Sequence, residues 1–210
     1  GHSSAFSRAM GFDMQTPEGK RVVKDILTEL AESLDVPYIH LGTDETDFTD
    51  KLFVPEMVEH VRSLGKKAIA WNPGWPFKSK EVDLLHLWSS KGRIVYGTPA
   101  IDSRYHYLNH YDLFADIQML YSSKILGVTA SNTNVMGAIL AVWNDRYVES
   151  PRTIMQENAV YPNMLALAER AWLGGGAGYF NASAAALSPE ASPETREAFV
   201  DFERRLLWHK

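Results

Sequence analysis

Apolar residues near the start of the chain recur at the spacing of an amphipathic helix. Thr16 suits the position that caps a helix start, and Pro17 suits the first helical turn. The apolar positions that follow at this spacing are Val22, Val23, Ile26, Leu27, Leu30 and Leu34. Pro37 follows the predicted end of this helix. The same periodicity recurs over residues 52–64 and ends at Gly65, so we predict two helices.

Short apolar runs between the helical segments predict strands. Four runs are typical of buried strands, and a fifth, at residues 94–96, is weaker. The four stronger runs are residues 38–42, 68–71, 84–88 and 138–143. Three further helices are predicted over residues 113–124, 150–172 and 193–207. Near the end of the second of these, Glu169 and Arg170 are expected to form a buried or half-buried ion pair.

The alternation of strands and helices predicts an α/β fold built from parallel βα units. A complete (β/α)8 barrel needs about 250 residues, and this chain has 210 residues with about five strands. We therefore predict the C-terminal part of a TIM barrel, strands 4 to 8, over residues 1–178, followed by a linker and helix over 179–210. One difficulty is the short gap between residues 88 and 94, because a parallel crossover usually needs about a dozen residues.

Composition and charge exclude several classes of partner and site. A net charge of −5 without a basic stripe argues against nucleic acid as a partner. No apolar run approaches the roughly 20 residues that span a bilayer, and the chain has no cysteine to form disulfides or thiolate metal sites. The opening Gly1-His2-Ser3 reads as the middle of a domain, without a visible signal peptide. Oligomeric state and compartment are left open.

The most informative stretch is the run from His40 to Glu45. Gly42 allows the backbone to turn after an apolar strand, and Asp44 and Glu45 follow the turn together. Adjacent carboxylates repel each other, which favours a proton on one of them. A protonated carboxyl beside a charged one is the arrangement that general acid catalysis needs. The plainer interpretation is a solvated acidic loop.

Tryptophan residues stand at the ends of three other predicted strands. They are Trp71, Trp88 and Trp143, and Asp145 follows the last of them. In a βα barrel the active site lies at the carboxyl ends of the strands. The sequence therefore predicts an aromatic-walled pocket with a few acids, which is typical of sugar binding. For a single tryptophan, core packing is the alternative.

At these residues the chain resembles glycoside hydrolase family 20, the β-N-acetylhexosaminidases. The run from His40 to Glu45 is similar to the family signature His-x-Gly-Gly-Asp-Glu. Four further segments resemble the motifs Pro-Gly-His, Tyr-Leu-Asp, Trp-x-Glu and Glu-Arg-x-Trp in the family's order. They are Gly1-His2, Tyr107-Leu108-Asn109, Trp143-Asn144-Asp145 and Glu169-Arg170-Ala171-Trp172. Each motif is weak alone, but five in order extend over nearly the whole chain.

The resemblance implies removal of terminal β-linked N-acetylglucosamine or N-acetylgalactosamine by substrate-assisted, retaining catalysis. Glu45 would be the acid and base, Asp44 would hold the 2-acetamido group, and Tyr107 would donate a hydrogen bond to it. Tyr105 competes with Tyr107 for that role. Four further residues would bind the sugar, namely Trp71, Trp88, Trp143 and Asp145, and His2 would support the acids. The resemblance implies a glycan substrate, no metal or organic cofactor, and a secreted, periplasmic or lysosomal-type location.

Several positions depart from the family pattern. Thr43 replaces the second glycine of the signature, Asn109 replaces an aspartate, and Asp145 replaces a glutamate. These departures keep two alternatives open: an enzyme with a different glycoside preference, and a carbohydrate-binding relative without turnover. The missing half barrel leaves a third alternative, a fragment that is inactive alone because an open barrel leaves strand edges unpaired. Four histidines lack metal-ligand spacing and are expected to be structural: His60, His86, His106 and His110.

Overall fold

A computed structural model describes residues 12–108, 117–127, 134–142, 149–156, 160–178 and 191–208. The chain divides into two compact units, Gly1–Ala100 and Ile101–Lys210. The predictions for His2, Asn109, His110, Trp143, Asn144 and Asp145 lie outside the described residues. Within the described residues, no helix combines the length and apolarity needed to cross a membrane.

The first helix, α1 (Pro17–Ser33), begins where the sequence predicts. The side-chain oxygen of Thr16 accepts a hydrogen bond from the Gly19 N–H at 3.0 Å, which satisfies one of the free donors at the helix start. The predicted apolar stripe is only partly buried. Leu27 is buried, whereas Ile26 and Leu30 are exposed.

Three parallel strands form the sheet of the first unit: β1 (Tyr38–His40), β2 (Lys67–Asn72) and β3 (Leu84–Leu87). Helix α2 (Phe53–Ser63) connects β1 to β2 and ends two residues before Gly65, within one residue of the predicted bounds 52–64. Its buried residues are Phe53, Val54, Met57, Val58 and Val61. The connection from β2 to β3, residues 73–83, contains turns and bends but no helix.

The predicted strand at residues 94–96 is wrong. Ile94 is 43% exposed and Tyr96 is 93% exposed, so this apolar run does not enter the core. The next strand is β4 (Ala100–Asp102), which contains the boundary between the two units. The Leu85 N–H donates to the Pro99 carbonyl at 3.0 Å, so the chain just before β4 lies beside β3. This placement gives the chain enough residues to return to the sheet in parallel, which removes the difficulty of the short crossover.

The second unit contains helices α3 (Ile117–Ser122), α4 (Pro151–Gln156), α5 (Val160–Leu173) and α6 (Pro193–Leu207), together with strand β5 (Val135–Ala138). The strand expected at 138–143 therefore begins earlier. Pairing continues past it, because Ala141 forms a parallel bridge with Tyr107. Helix α6 begins at the predicted residue, where Ser192 accepts from the Thr195 N–H at 3.2 Å.

The single long helix predicted over residues 150–172 is divided. Tyr161 has a non-helical backbone, with φ −95° and ψ 130°. Pro162 follows it, and proline disfavours the helical conformation in the residue before it. The predicted ion pair between Glu169 and Arg170 is also wrong. Glu169 accepts from Arg205 at 2.6 Å, whereas Arg170 donates to the carbonyl oxygens of Tyr121 and Gly174.

An aromatic cluster forms the core of the second unit. The Tyr121 ring lies 5.1 Å from the Phe199 ring and 4.8 Å from the Phe202 ring, between ring centroids. Leu108, Leu120 and Leu167 are buried in the same cluster. The parallel strands with packed helices confirm the predicted α/β class.

Candidate active site

Three rings meet on one face of the sheet in the first unit. His40 is the last residue of β1, and Trp71 of β2 is in register with His86 of β3. The ring centroids of Trp71 and His86 are 4.1 Å apart, and those of His40 and Trp71 are 4.6 Å apart. In parallel neighbours, residues in register point to the same side. The strand ends therefore bring one of the predicted tryptophans against two histidines.

The two histidines are joined by a hydrogen bond of 3.3 Å between His40 Nε2 and His86 Nδ1. His40 Nδ1 accepts from the backbone N–H of Gly42 at 3.0 Å. His40 is exposed as a residue, but packing removes water from its ring, and this burial lowers the pKa of His40 to about 4. His40 is therefore neutral near pH 7.

The chain turns sharply directly after β1. Gly42 has φ +76°, Thr43 has φ +88° and Glu45 has φ +43°. Positive φ is available to glycine but costs energy in a β-branched residue such as threonine. The turn is held against β2, because the Trp71 N–H donates to the Gly42 carbonyl at 2.8 Å. The departure of Thr43 from the glycine signature thus coincides with a strained backbone.

The two predicted acids follow this turn. Asp44 is half-buried and lines a cavity of about 330 Å³, whose apolar walls include Val23, Leu27 and Met57. Glu45 is exposed. The turn therefore places one carboxylate against an apolar cavity and leaves its neighbour open to solvent.

Trp88 lies just past the end of β3 and is half-buried. Its indole Nε1–H donates to the Pro73 carbonyl at 2.7 Å, and its backbone N–H donates to the Asn72 carbonyl at 3.2 Å. The ring is therefore tied to the turn after β2. Both described strand-end tryptophans of the first unit, Trp71 and Trp88, are positioned by backbone contacts at the carboxyl ends of the strands.

Tyr107 lies in the second unit and is half-buried. The residue before it, His106, is buried, and its Nδ1 is 3.0 Å from the Asp102 carbonyl oxygen. Burial lowers the pKa of His106. The competing Tyr105 has the Arg104 guanidinium 5.7 Å from its ring centroid.

Asp102 anchors the segment that leads to Tyr107. Burial acts to raise the pKa of this carboxyl. The hydrogen bonds and charge of Arg104, together with His106 and the Leu126 N–H, act in the opposite direction and outweigh burial, so the pKa of Asp102 lies below its ordinary value. The Arg104 Nε donates to Asp102 at 2.9 Å, and the Leu126 N–H donates at 2.7 Å. Asp102 is therefore a buried, charged acceptor.

His86 is the site residue that sequence reasoning assigned to a structural role. In the sequence, His86 stands out as the single polar residue in the otherwise apolar run 84–87. Its contacts with Trp71 and His40 become apparent only from the strand register. Across the described ranges, no group of three or more histidine, aspartate or glutamate residues is arranged to hold a metal ion.

No protein-family profile matches this sequence, and no curated protein matches it significantly. Solved structures do match the fold. A β-N-acetylhexosaminidase from Bacteroides fragilis superposes with a TM-score of 0.66 at 20% identity, covering 93% of this chain and 45% of that one. A chitobiase from Flavobacterium johnsoniae, of glycoside hydrolase family 20, gives a TM-score of 0.60 at 18% identity, covering 92% and 33%. An exo-β-N-acetylglucosaminidase of the same family from Vibrio harveyi, in complex with N-acetylglucosamine, gives a TM-score of 0.59 at 16% identity. This match covers 93% of this chain and 35% of that one.

These similarities concern the fold. The chain spans about a third to just under half of the length of these structures. It therefore has the fold of part of the family 20 hexosaminidase structures, as the sequence resemblance predicts.

Proposed function

We propose that this chain carries the acid pair of a retaining glycoside hydrolase that removes terminal β-linked N-acetylglucosamine or N-acetylgalactosamine. The observation that carries the proposal is the turn after β1, which bears Asp44 and Glu45 at the strand ends near Trp71. The likeness of the fold to family 20 hexosaminidases supports the same function.

Glu45 is the proposed general acid and base. Because it is exposed, a substrate and a water molecule can reach its carboxyl group. In the first step Glu45 gives its proton to the glycosidic oxygen as the bond from that oxygen to the anomeric carbon breaks. In the second step it takes a proton from the water that attacks the same carbon.

Asp44 is the proposed partner of the substrate's 2-acetamido group. The acetamido oxygen attacks the anomeric carbon and forms a cationic oxazoline-type intermediate, which the Asp44 carboxylate stabilises through its charge. A half-buried carboxylate is less screened by water than an exposed one, which strengthens this interaction. When water attacks the same carbon, the bond from that carbon to the acetamido oxygen breaks and the acetamido group is regenerated. Two displacements at one carbon retain its stereochemistry.

The aromatic residues are proposed to contact the sugar. Trp71 and Trp88 offer half-buried indole faces in the first unit. The roles of Tyr107, Trp143, Asp145 and His2 stay predictions from the resemblance. The proposed chemistry uses no metal or organic cofactor.

A second candidate function is carbohydrate binding without turnover. The observation that favours it is the backbone of Thr43, which has a positive φ at a position where the family signature has glycine. A turn that is strained in this way can hold Asp44 away from the geometry needed for catalysis while the aromatic faces still bind sugar.

Hydrolysis of 4-nitrophenyl N-acetyl-β-glucosaminide by the full gene product tests the proposal. Glu45→Gln should abolish turnover while N-acetylglucosamine still binds, and Asp44→Asn should slow the first step by at least about 100-fold. Asp47→Asn is the matched control in the same loop and should leave the rate unchanged. Full activity of Glu45→Gln would refute the assignment of the acid. Binding of N-acetylglucosamine without hydrolysis by the unaltered protein would establish the second candidate instead.

A further inference from the structure

We propose that His86 is a positioning residue that acts through His40 to hold the turn carrying Asp44. The inference rests on the proposed function for its catalytic consequence, but its structural part stands on the contacts of the first unit alone. The proposed role belongs to a buried histidine on β3, whereas the two acids follow β1.

The hydrogen bond from Gly42 determines which nitrogen of His40 carries the proton. A backbone N–H can only donate, so the bond of 3.0 Å from Gly42 requires an unprotonated Nδ1 on His40. A neutral imidazole then carries its proton on Nε2. The bond of 3.3 Å to His86 therefore runs from His40 Nε2–H to His86 Nδ1. The single tautomer of His40 is set by both of its neighbours.

The orientation of the His40 ring depends on His86 for a physical reason. His40 is exposed as a residue and lies at the end of its strand, so its ring is held by its contacts with Trp71, His86 and the Gly42 N–H. His86 is buried, with 5% of its surface exposed, and its ring packs on Trp71. The buried ring of His86 thus helps to fix the orientation of the His40 ring through one hydrogen bond and a shared contact with Trp71.

The bond to Gly42 acts where the backbone is most strained. Gly42 and Thr43 both have positive φ, and Asp44 is the next residue. The bond from residue 42 to the side chain of residue 40 has the geometry of an Asx turn, in which a side-chain acceptor stabilises a backbone turn two residues on. Loss of this acceptor lets the turn relax and displaces Asp44. Displacements of about 1 Å in a catalytic group can reduce a rate by about 100-fold.

The chain offers matched substitutions for each nitrogen. The amide oxygen of Asn lies near the position of Nδ1, whereas the amide of Gln reaches the position of Nε2. His86→Asn should therefore keep the acceptor for His40, and His86→Gln should lose it. Equally, His40→Asn should keep the bond to Gly42 without any need for His86.

The first readout is amide hydrogen exchange at Gly42, which requires no activity. We expect exchange to be at least about tenfold faster in His86→Gln than in the unaltered protein, and unchanged in His86→Asn. In His40→Asn the Gly42 amide should stay protected, and adding His86→Gln should cause no further change. Equal exchange in His86→Gln and the unaltered protein would overturn the inference. Because His40 is exposed, His40→Gln provides the same test if His86→Gln fails to fold, with faster exchange expected.

The second readout is hydrolysis of the chromogenic substrate. His86→Gln should lower kcat by about 10- to 100-fold with KM changed less than about threefold, and His86→Asn should restore the rate. An equal loss of rate in both variants would indicate a merely structural histidine and overturn the inference. If the unaltered protein does not hydrolyse the substrate but Gly42 exchange follows the expected pattern, the proposed function fails while the positioning of the turn stands.

Discussion

Gly74 lies so close to Thr43 that a methyl group built on it would be 2.6 Å from the Thr43 carbonyl oxygen and 2.7 Å from that of Trp71. The turn after β2 therefore packs backbone to backbone against the turn that carries the acids. Gly74→Ala should lower the free energy of unfolding by about 1–3 kcal/mol, through overpacking. Gly178→Ala is the control, because nothing lies within 4 Å of its added carbon. Urea unfolding of both variants measures the difference, and equal stability would contradict this packing.

Thr43→Gly should stabilise the protein. Removal of the side chain relieves a backbone at φ +88°, worth about 1–3 kcal/mol. Greater freedom of the unfolded chain offsets about 0.4–1 kcal/mol of this gain. Thr43→Ala keeps the strain and should show no gain. We expect the melting temperature to rise for Thr43→Gly alone. A rise for both variants would show that the threonine side chain, and not the backbone conformation, destabilises the turn.

Stability should fall as the pH is lowered through the titration of His40. Its pKa is about 4 in the folded protein against an ordinary value of 6.5, so between these values the unfolded chain binds more protons. The free energy of unfolding should therefore decrease from pH 6.5 towards pH 4. Urea unfolding between pH 5 and 7 avoids most carboxylate titration. His40→Asn should show a shallower dependence, with the remainder contributed by His106. An unchanged slope would show that His40 is not the group responsible.

Asp102→Asn should destabilise the second unit. Asp102 is 3% exposed and pairs with Arg104, whose side chain is largely buried. Removal of one partner leaves the other charge buried without compensation, which costs about 3 kcal/mol. Asp201→Asn removes an exposed partner of Arg205 and should cause no measurable change. Thermal unfolding of the two variants checks this contrast, and similar melting temperatures would contradict it.

Trp88→Phe should weaken sugar binding more than it slows catalysis. Phenylalanine keeps an aromatic face but cannot donate to the Pro73 carbonyl, so the ring loses its orientation. We expect KM to rise several-fold with kcat nearly unchanged, and stability to fall by about 1 kcal/mol. Trp208→Phe, at an indole that is 89% exposed just after the end of α6, is the control. Steady-state kinetics would count against the assignment if kcat fell and KM did not change.

Features encoded by neighbouring residues could be predicted well from the sequence. The starts of α1 and α6 match their predicted residues because a hydroxyl cap and a proline specify them locally. The turn after β1 was also recognisable, since Gly42 and the acids are consecutive. Pro162 could have indicated the break in the helix predicted over residues 150–172, but the apolar periodicity on both sides of it favoured one continuous helix.

Features that depend on distant pairing could not be predicted. The run at 94–96 has a strand's composition, yet the chain meets β3 only at Pro99. The strand that follows, β4, contains the polar Asp102 and therefore does not appear as an apolar run. His86 gains its partners only when β3 aligns with β2. Arg205 replaces Arg170 as the partner of Glu169 because α6 packs against α5, which no local pattern indicates.

The matching caps of α1 and α6 bear on the order in which the chain acquires structure. Thr16 with Pro17, and Ser192 with Pro193, specify helix starts within four consecutive residues. Such local turns form in roughly a microsecond or less. Pairing of β1 with β2 instead requires the chain to close around the whole of α2, and parallel closure of this kind is slow. Both helix starts should therefore be protected early in refolding, with the strand ends that bear the acids assembled last.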